Sequence, residues 1–496
     1  MQTDARPKSS DSQQFDTIRC PFDGQEVGRM PIADDAAVES AIQRAERAYQ
    51  IMRRLPRFVR ADILARTADL IQARRKEFVD LIAREAGKPL YDAEGEVSRA
   101  TFNLRNAAHE AGSFAGVEVP LDVDGSVFEY QSTLVDGSPL DLAKADFEVL
   151  AASRRRVGLA RRFPIGPILA ITPFNFPLNL VVHKVAPALA VGNSVVIKPA
   201  PQTPLTSLLL QEVLVEAGLP EDAIGVVHCP VPLAEKMVRD ERFSMVTFTG
   251  SAKVGWHIKN LAGRKKVALE LGGNGAVVVA RDADLDFAAA RCVRGGVVYG
   301  GQYCIGVQRI LVERPVYDAF REKLLARIGA CKVGNPLEKG IDVGPVIDSG
   351  SADRIEMWIN EATGQGAKVA AGGTRDGNVI LPTILEETSA DMLVEREEIF
   401  GPVMTLNPID SVDEGVRRAN DSRYGLQGGL FTNDIRAAFK ALEDWDVGGL
   451  MINDVPIYRI DNMPFGGWKD SGFGREGTRF AMEEMSDIKF LMVNYS

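Results

Sequence analysis

Histidine and cysteine are scarce in this 496-residue sequence, with four and five residues respectively, and their scarcity excludes several kinds of site. The number of cysteines is odd and no pair has CxxC spacing, which favours reduced thiols over a framework of disulfides. The histidines are scattered along the chain without the spacing of metal ligands. We therefore predict neither structural disulfides nor a metal site.

The sequence also lacks an excess of positive charge and a long hydrophobic run. Its formal net charge is −10 at pH 7, so a nucleic-acid partner is not expected. The longest apolar stretch, residues 177–197, contains Asn179, His183 and Lys184 and is too polar to span a membrane. Residues 1–14 lack the apolar core of a signal peptide. The sequence thus predicts a soluble, cytoplasmic protein without nucleic-acid or membrane partners.

The fold class predicted from length and patterning is α/β. The chain is longer than the roughly 250–300 residues that one hydrophobic core serves, so at least two domains are expected. From residue 166 onward, short apolar runs alternate with helical patterns, which predicts a doubly wound, mostly parallel sheet. The predicted strands of this first series are residues 167–172, 194–198, 225–229, 245–248 and 266–271. A second α/β series begins near Gly275, with strands predicted at 276–280 and 307–312.

The remaining segments complete the predicted organisation. Helical spacing of apolar residues predicts helices at 36–55 and 60–86, with Asp34 or Asp35 capping the first. Residues 124–162 show strand-like pieces without a core-facing helix, and we predict an arm or linker there.

A strand, a glycine loop and a helix are predicted in succession around residues 248–255. Gly250 and Ser251 stand at the predicted helix start, where free backbone amides suit a pyrophosphate. The motif is not GxGxxG, so a tight strand-to-helix turn explains it equally well.

Two further residues have more than one interpretation when taken alone. Glu270 ends the next predicted strand, at the position where a Rossmann domain carries its ribose-binding acid, although a carboxylate capping a turn fits too. Cys304 follows Gly300 and Gly301 rather than lying within an apolar helix, as Cys292 does. An isolated free cysteine is nevertheless more often a small buried hydrophobe than a nucleophile.

Seven motifs in order resemble the signature set of the aldehyde dehydrogenase superfamily, and the resemblance runs from about residue 30 to the C-terminus. The loop at 457–465 is most similar to those of lactaldehyde and semialdehyde dehydrogenases. The motifs are PFNFP at 173–177, KPA at 198–200, FTGSAKVG at 248–255, ELGG at 270–273, GQYC at 301–304, EIFGP at 398–402 and PFGG at 464–467.

The resemblance implies a catalytic role for three residues. Cys304 would be the nucleophile, because a thiolate adds readily to an aldehyde carbon. Asn175 would be the side-chain donor of the oxyanion hole, together with the Cys304 N–H. Glu270 would be the base that activates water for hydrolysis of the thioester. Members that transfer their acyl group to coenzyme A generally lack this glutamate, and a catalytically silent protein of the same fold would not need all three residues.

The cofactor implied by the resemblance is NAD(P). Lys198 would lie beside the adenosine ribose, and the phosphates would lie near Ser251 and the helix that contains Gly255. Glu398 would bind the nicotinamide ribose, with Phe400 alongside. Pro201 stands where NAD-preferring relatives commonly carry glutamate, so we expect NADP⁺ to be accepted and modestly preferred.

Substrate recognition and assembly are the least constrained predictions. Arg459 clamps a carboxylate or phosphate, or it is a solvated loop arginine; both remain open. Phe465 is expected to line the substrate tunnel. Lys184 either supports a network around Glu270 or faces solvent, and the second interpretation is favoured. The substrate itself is expected to be a small-molecule aldehyde.

The expected domains are an NAD(P)-binding domain at 1–127 and 161–272, a catalytic domain at 273–476 and an oligomerisation arm at 128–160 and 477–496. The resemblance implies a homodimer or a dimer-based tetramer, in which the arm pairs with a C-terminal strand at 489–495. The segment 119–163 is longer than the usual connection in similar families.

Overall fold

The computed structural model describes residues 14–121, 123 and 155–495. Its strands, in chain order, are β1 Phe15–Arg19, β2 Glu26–Pro31, β3 Val117–Val119, β4 Arg156–Pro164, β5 Ile168–Ile171, β6 Val195–Lys198, β7 Ile224–Val226, β8 Met245–Thr249, β9 Lys266–Glu270, β10 Gly275–Val279, β11 Val307–Glu313, β12 Lys368–Ala371, β13 Arg375–Asp376, β14 Val379–Ile380, β15 Thr383–Glu386, β16 Val403–Ile409, β17 Tyr424–Gly425, β18 Gln427–Phe431, β19 Gly449–Ile452, β20 Trp468–Lys469, β21 Gly472–Phe473 and β22 Ser486–Asn494.

The helices surround these strands. In chain order they are α1 Asp35–Met52, α2 Arg57–Ala73, α3 Arg75–Ala86, α4 Leu90–Ser113, α5 Asn179–Val191, α6 Leu205–Glu216, α7 Val231–Arg239, α8 Ala252–Leu261, α9 Leu285–Val297, α10 Arg314–Ile328, α11 Ser349–Gly364, α12 Leu393–Arg396, α13 Val412–Asn420, α14 Ile435–Asp444 and α15 Thr478–Glu484. Within the described ranges, no helix is long and apolar enough to cross a membrane.

The first sheet is doubly wound, as predicted. Its six strands lie in the order β21-β9-β8-β5-β6-β7, and the five from β9 to β7 run parallel. Alternate residues enter opposite cores, because successive side chains of a strand point to opposite faces. Ile168 and Ala170 pack in the core that contains α4, α5 and α6, while Leu169 and Ile171 pack against α1, α7 and α8. All five predicted strands are present, although that at 225–229 is shorter than expected.

The edge strand β21 reaches the first sheet from the C-terminal part of the chain. It pairs antiparallel with β9, and Gly472 lies opposite Glu270. Ser471 O also accepts a hydrogen bond of 2.9 Å from Leu271 N. The end of β9 is therefore held on both sides, by β8 and by β21.

The second sheet has seven strands in the order β12-β15-β16-β11-β10-β18-β19. The strands from β15 to β19 are parallel, and β12 pairs antiparallel with β15. Val277 and Val279 pack against α9 and α10, and Ala276 and Val278 pack against α13 and α14. The second predicted α/β series is confirmed.

A three-stranded antiparallel sheet, in the order β22-β4-β3, stands apart from these two. The predicted C-terminal strand is present and begins at Ser486, three residues earlier than expected. Residues 124–154 of the predicted arm lie outside the described part of the chain. The boundaries proposed for the domains stay a prediction: the predicted cofactor domain includes β3 of this sheet, and the predicted catalytic domain includes β21 of the first.

One helix prediction needs correction, and one helix was missed. Residues 60–86 form two helices rather than one, because the chain bends at Arg74, where the backbone leaves helical geometry. The 24-residue helix α4 was not predicted at all. Its buried face carries polar residues such as Asp92, Glu96 and Asn103, and these interrupt the apolar repeat on which the prediction depended.

Candidate active site

A cavity of about 760 Å³ opens at the carboxyl ends of the parallel strands of the first sheet. Ligands of doubly wound sheets bind at this edge. Nine of the predicted site residues line the cavity: Asn175, Lys198, Pro201, Gly250, Ser251, Glu270, Cys304, Glu398 and Phe400. Gly255, Arg459 and Phe465 are not among its lining residues.

Cys304 enters the cavity from a tightly folded loop between α9 and β11. Tyr299, Gly300 and Gly301 all have positive φ values, of 49°, 59° and 71°. A Cβ atom at Gly301 would lie 2.1 Å from the carbonyl oxygen of Gly401, so this close approach requires glycine. Burial raises the pKa of Cys304 to about 12, although the charge of Arg459 acts in the opposite direction. At neutral pH the group is therefore a thiol.

Asn175 lies in the loop that leaves β5 and is buried, with 3% of its surface exposed. Its Nδ2 donates a hydrogen bond of 3.0 Å to the carbonyl of Gln302, two residues before Cys304. An amide nitrogen has two N–H groups, so one remains available to another acceptor. The contact ties the Asn175 loop to the Cys304 loop.

Glu270 is the last residue of β9, and its side chain is also buried, at 4% exposure. Its backbone carbonyl accepts from Gly250 N at 3.0 Å, while the side-chain Oε2 has no hydrogen-bond partner among the described residues. Burial and the nearby charge of Glu476 raise its pKa well above the usual value. The arrangement leaves one carboxylate oxygen of Glu270 free to bind a proton.

Lys184 does not face solvent, so the favoured interpretation of that residue is wrong. It is fully buried on α5 and donates to Glu476 Oε1 at 2.9 Å and to Thr247 Oγ1 at 3.1 Å. Burial alone would raise the pKa of Glu476, but the charges of Lys184 and His183 lower it to about 2. Lys184 therefore keeps a carboxylate ionised next to Glu270. The contact between Lys184 and Glu476 could not be predicted from local sequence, because the two residues are 292 positions apart.

Arg459 is buried too, which rules out the solvated-loop alternative. Its side chain is 4% exposed, and it donates to Glu476 Oε2 at 3.2 Å while its Nε lies 3.6 Å from Asp461 Oδ1. The guanidinium carbon lies 3.6 Å from the centroid of the Phe465 ring. Phe465 in turn packs in a small apolar cluster with Cys304. Arg459 and Phe465 thus lie beside the nucleophile although neither lines the large cavity.

A second cavity of about 380 Å³ lies on α4 beside the residue that precedes Cys304. Its wall includes Arg99, Phe176, Arg294 and Tyr303. Arg99 donates to the hydroxyl of Tyr303 at 3.0 Å and also pairs with Asp461. Arg99 was not predicted as a site residue, because α4, the helix that carries it, was not predicted.

The far end of the large cavity is suited to a phosphate-containing ligand. Lys198 ends β6, and burial lowers its pKa. Ser251 is the residue that precedes α8, so the N-terminus of this helix faces the cavity. A Cβ at Gly255 would lie 2.3 Å from the Leu271 side chain, so this glycine allows α8 to pack closely against the end of β9.

Glu398 lies at the other side of the same cavity. Its Oε1 accepts from Gly273 N at 3.0 Å, and burial raises its pKa to about 7. A Cβ at Gly272 would lie 2.3 Å from Glu398 Oε2. Phe400, with a φ of 51°, packs edge to face with Phe174 at a ring separation of 5.8 Å.

The chain is similar to known proteins over most of its length. A model described as the aldehyde dehydrogenase family matches residues 8–491. A 3-sulfolactaldehyde dehydrogenase of Priestia aryabhattai is 42% identical over 438 residues, covering 88% of this chain and 86% of the relative. The crystal structure of aldehyde dehydrogenase 21 from Physcomitrella patens with the reaction product succinate has a TM-score of 0.90 and 36% identity, covering 99% of this chain and 96% of that one. Glyceraldehyde-3-phosphate dehydrogenase from Methanocaldococcus jannaschii complexed with NADP has a TM-score of 0.88 and 35% identity, covering 98% and 100%.

Proposed function

The chain belongs to the aldehyde dehydrogenase family, and on that premise we propose that it oxidises an anionic aldehyde to a carboxylate, using NADP⁺ in preference to NAD⁺. NAD(P)-dependent aldehyde oxidation is the activity of the family. The main support for the proposal is that Cys304, Asn175 and Glu270 line one cavity. The same cavity is lined by Lys198 and Glu398.

The first step assigned to this chain is addition of Cys304 Sγ to the aldehyde carbon. A bond forms between sulfur and carbon, and the carbonyl oxygen takes the electron pair of the C=O bond. The second N–H of Asn175 Nδ2 and the backbone N–H of Cys304 stabilise the resulting oxyanion. Because the thiol is neutral at pH 7, its proton would pass to a water molecule in the open cavity as sulfur attacks.

The cavity residues fit a dinucleotide. The start of α8 and Lys198 suit its phosphates and ribose, and the buried hydroxyl of Thr249 has no partner at that end among the described residues. Glu398 would hold the second ribose beside Gly272, where the absence of a Cβ leaves room. When bound, the cofactor accepts the hydride that leaves the former aldehyde carbon.

The final step is hydrolysis of the thioester on Cys304. Glu270 would take a proton from water, whose oxygen then attacks the acyl carbon and displaces the thiolate. A carboxylate with a raised pKa is a stronger base once it is ionised, and Glu270 has a free Oε2 for this proton. This glutamate favours hydrolysis over transfer to coenzyme A.

The preference for NADP⁺ rests on the surroundings of Lys198. Pro201 lines the cavity and offers no carboxylate to repel a 2′-phosphate. Glu235 also lines the cavity, but Arg239 Nη2 lies 3.7 Å from Glu235 Oε2 and offsets its negative charge. Lys198 can therefore attract the phosphate with little opposing negative charge.

The preference for an anionic aldehyde rests on the charges beside Cys304. Arg99, Lys184 and Arg459 are cations, whereas Asp461 and Glu476 are the carboxylates that they contact. Glu270 and Arg475 belong to the same network, so four cations face three carboxylates, and a substrate anion would balance the difference. Three of the relatives are named for, or bind, the anionic compounds sulfolactaldehyde, succinate and glyceraldehyde-3-phosphate. Others are named for lactaldehyde, which is uncharged, so the charges beside Cys304 are the main support for an anionic substrate. Arg459 is the proposed anion clamp, and Phe465 is proposed to face the aldehyde chain.

Assembly as a homodimer or a dimer-based tetramer is proposed from the three-stranded sheet. Strand β22 lies at its edge and exposes apolar side chains that a second copy would cover. They include Ile488, Phe490, Leu491, Met492 and Val493. The predicted domain boundaries are also part of this proposal. So is a cytoplasmic location, because the five cysteines of the chain are free thiols rather than disulfides.

The test of the proposed function is a panel of charged and uncharged aldehydes, each assayed with NAD⁺ and NADP⁺ by nicotinamide absorbance. Oxidation that disappears in Cys304→Ala supports it. Activity that persists in this variant, or the absence of oxidation with every aldehyde in the wild-type enzyme, contradicts it.

A further inference from the structure

Lys88 and Glu96 form an ion pair that is completely buried beneath the Asn175 loop. Both side chains have 0% exposure, and Lys88 Nζ lies 2.5 Å from Glu96 Oε2. Neither residue lines the large cavity, and the steps proposed above use neither of them. Removing two charges from water is costly, so a pair in this position needs a reason.

The contacts of this pair converge on Asn175. Lys88 Nζ donates a hydrogen bond of 2.6 Å to the backbone carbonyl of Asn175 itself. Glu96 Oε1 accepts from Leu178 N at 2.8 Å and from Asn179 N at 3.0 Å, at the start of α5. Between them the two side chains fix the backbone of residues 175–179, where the loop becomes a helix.

The stretch of chain that contains Lys88 and Glu96 also contacts the Cys304 loop. Lys88 Nζ lies 4.4 Å from the ring centroid of Tyr299. The Tyr299 hydroxyl donates to the carbonyl of Ala86 at 2.7 Å, and Tyr299 N donates to Asp92 Oδ2 at 3.0 Å. Residues 86–96 therefore hold both loops from which the oxyanion donors come.

We propose that Lys88 and Glu96 are positioning residues that aim the Asn175 amide at the oxyanion formed on Cys304. The proposal rests on the function proposed above. Asn175 Nδ2 donates to the backbone of the opposing loop, so its direction depends on where its own backbone is fixed. A donor misplaced by about 1 Å loses much of its effect, because oxyanion stabilisation depends on donor distances of roughly 2.7–3.1 Å.

The test compares K88M/E96Q with the wild-type enzyme, using succinic semialdehyde and propanal as probes. The double variant leaves no unpaired charge, and the amide that replaces the Glu96 carboxylate keeps an oxygen for the N–H groups of residues 178 and 179. We expect the rate of the first-turnover NADPH burst to fall about 10-fold to 100-fold, somewhat less than the loss of an oxyanion donor itself. Alkylation of Cys304 by iodoacetamide forms no oxyanion, so its rate should change by less than about threefold.

A double-mutant cycle with Asn175→Ala separates positioning from general support of the fold. If the pair acts through Asn175, adding N175A to K88M/E96Q should cost far less than adding it to the wild type. Additive losses, or an unchanged burst rate in K88M/E96Q, would overturn the proposal. A wild-type enzyme that oxidises neither aldehyde would instead show that the proposed function is wrong.

Two further variants keep the test decisive. Glu85→Gln is the matched control: Glu85 is buried and caps the start of α6 through Leu205 N and Thr206 N, but does not contact Asn175. This control should leave the burst rate unchanged, and a slowing equal to that of K88M/E96Q would contradict the proposal. If K88M/E96Q fails to fold, Glu96→Gln alone is carried through the same cycle, and the same non-additivity with N175A is expected.

Discussion

The guanidinium carbon of Arg459 lies 3.6 Å from the centroid of the Phe465 ring, and Arg459 Nη2 lies 3.2 Å from Glu476 Oε2. One face of the guanidinium is thus covered by an aromatic ring, while one edge meets a carboxylate. Within the described part of the chain, Arg459 Nε has no hydrogen-bond partner. A substrate anion would find both a fixed positive charge and an unused donor at this position.

Arg459→Met should weaken binding of anionic aldehydes selectively, because methionine keeps apolar contact with Phe465 and removes the charge. A charged hydrogen bond is worth about 1.5–3 kcal/mol, so KM for succinic semialdehyde should rise roughly 10-fold to 150-fold. KM for uncharged butanal should change little. The control is Arg436→Met, which removes an exposed arginine and should change neither KM. If Arg459→Met raises KM equally for both aldehydes, Arg459 has a structural role and does not bind the anion.

Glu270→Gln should separate hydride transfer from hydrolysis. We expect a burst of about one NADPH per active site, followed by steady turnover reduced roughly 10²-fold to 10⁴-fold, since only hydrolysis needs the base. Stopped-flow absorbance measures both phases. Cys304→Ala should show neither phase, and loss of the burst in Glu270→Gln would indicate that Glu270 also activates the thiol.

Pro201→Glu should shift cofactor preference toward NAD⁺. A carboxylate about 4 Å from a 2′-phosphate, at an effective dielectric constant of about 20, costs up to about 4 kcal/mol. We expect the ratio of kcat/KM for NADP⁺ to that for NAD⁺ to fall at least about tenfold, which is about 1.4 kcal/mol. Pro201→Gln controls for side-chain size and loss of the ring. A wild-type enzyme that strongly prefers NAD⁺ would refute the argument from Pro201.

Glu398→Gln should stabilise the cofactor-free enzyme, but only at higher pH. Burial raises the pKa of Glu398 from 4.5 to about 7, so folding favours the protonated form. Well below pH 4.5 the Glu398 carboxyl is neutral in both the folded and the unfolded chain, so its ionisation costs the folded state nothing. As pH rises through 7, ionisation in the buried site lowers the free energy of unfolding of the wild type. Glutamine cannot ionise, so the variant should gain up to about 3 kcal/mol relative to wild type at about pH 8. The difference in melting temperature between Glu398→Gln and the wild type should be larger at about pH 8 than at about pH 5. The exposed Glu338→Gln is the control. An equal difference at both pH values would contradict the prediction.

Ile488→Lys combined with Met492→Lys should reduce the size of the assembly. Both side chains lie on one face of β22, and charges there oppose its burial by a second copy. Light scattering after size-exclusion chromatography should show monomers. Met357→Lys, an equally exposed apolar residue on α11, should leave the assembly intact. Unchanged mass in the β22 variant would show that copies meet elsewhere.

The sequence predicted those parts of the fold in which local pattern and tertiary structure agree. The buried strands before Asn175, Lys198, Ser251 and Glu270 were predictable because each is a short apolar run ending in a loop. Helix α4 was not, because its buried polar side chains are satisfied only by distant parts of the chain.

The same limit explains what was missed in the site. Lys184 and Arg459 carry charges that a sequence pattern assigns to solvent. Their carboxylate partners, Glu476 and Asp461, lie in a C-terminal loop and are recognisable only after folding. The motif resemblance identified the residues proposed for the reaction, but not the buried ions that support them.

The position of strand β21 in the chain determines when the surroundings of Glu270 can be completed during synthesis. Glu270 and Cys304 leave the ribosome well before residues 472–473, whose strand completes the sheet edge beside Glu270. Until then, β9 is an open edge, and the proposed base has neither Gly472 beside its backbone nor Glu476 near its carboxylate. A nascent chain therefore carries its nucleophile without the surroundings that would let it turn over. The surroundings of the proposed base are therefore complete only after residues 472–476 have been synthesised and folded.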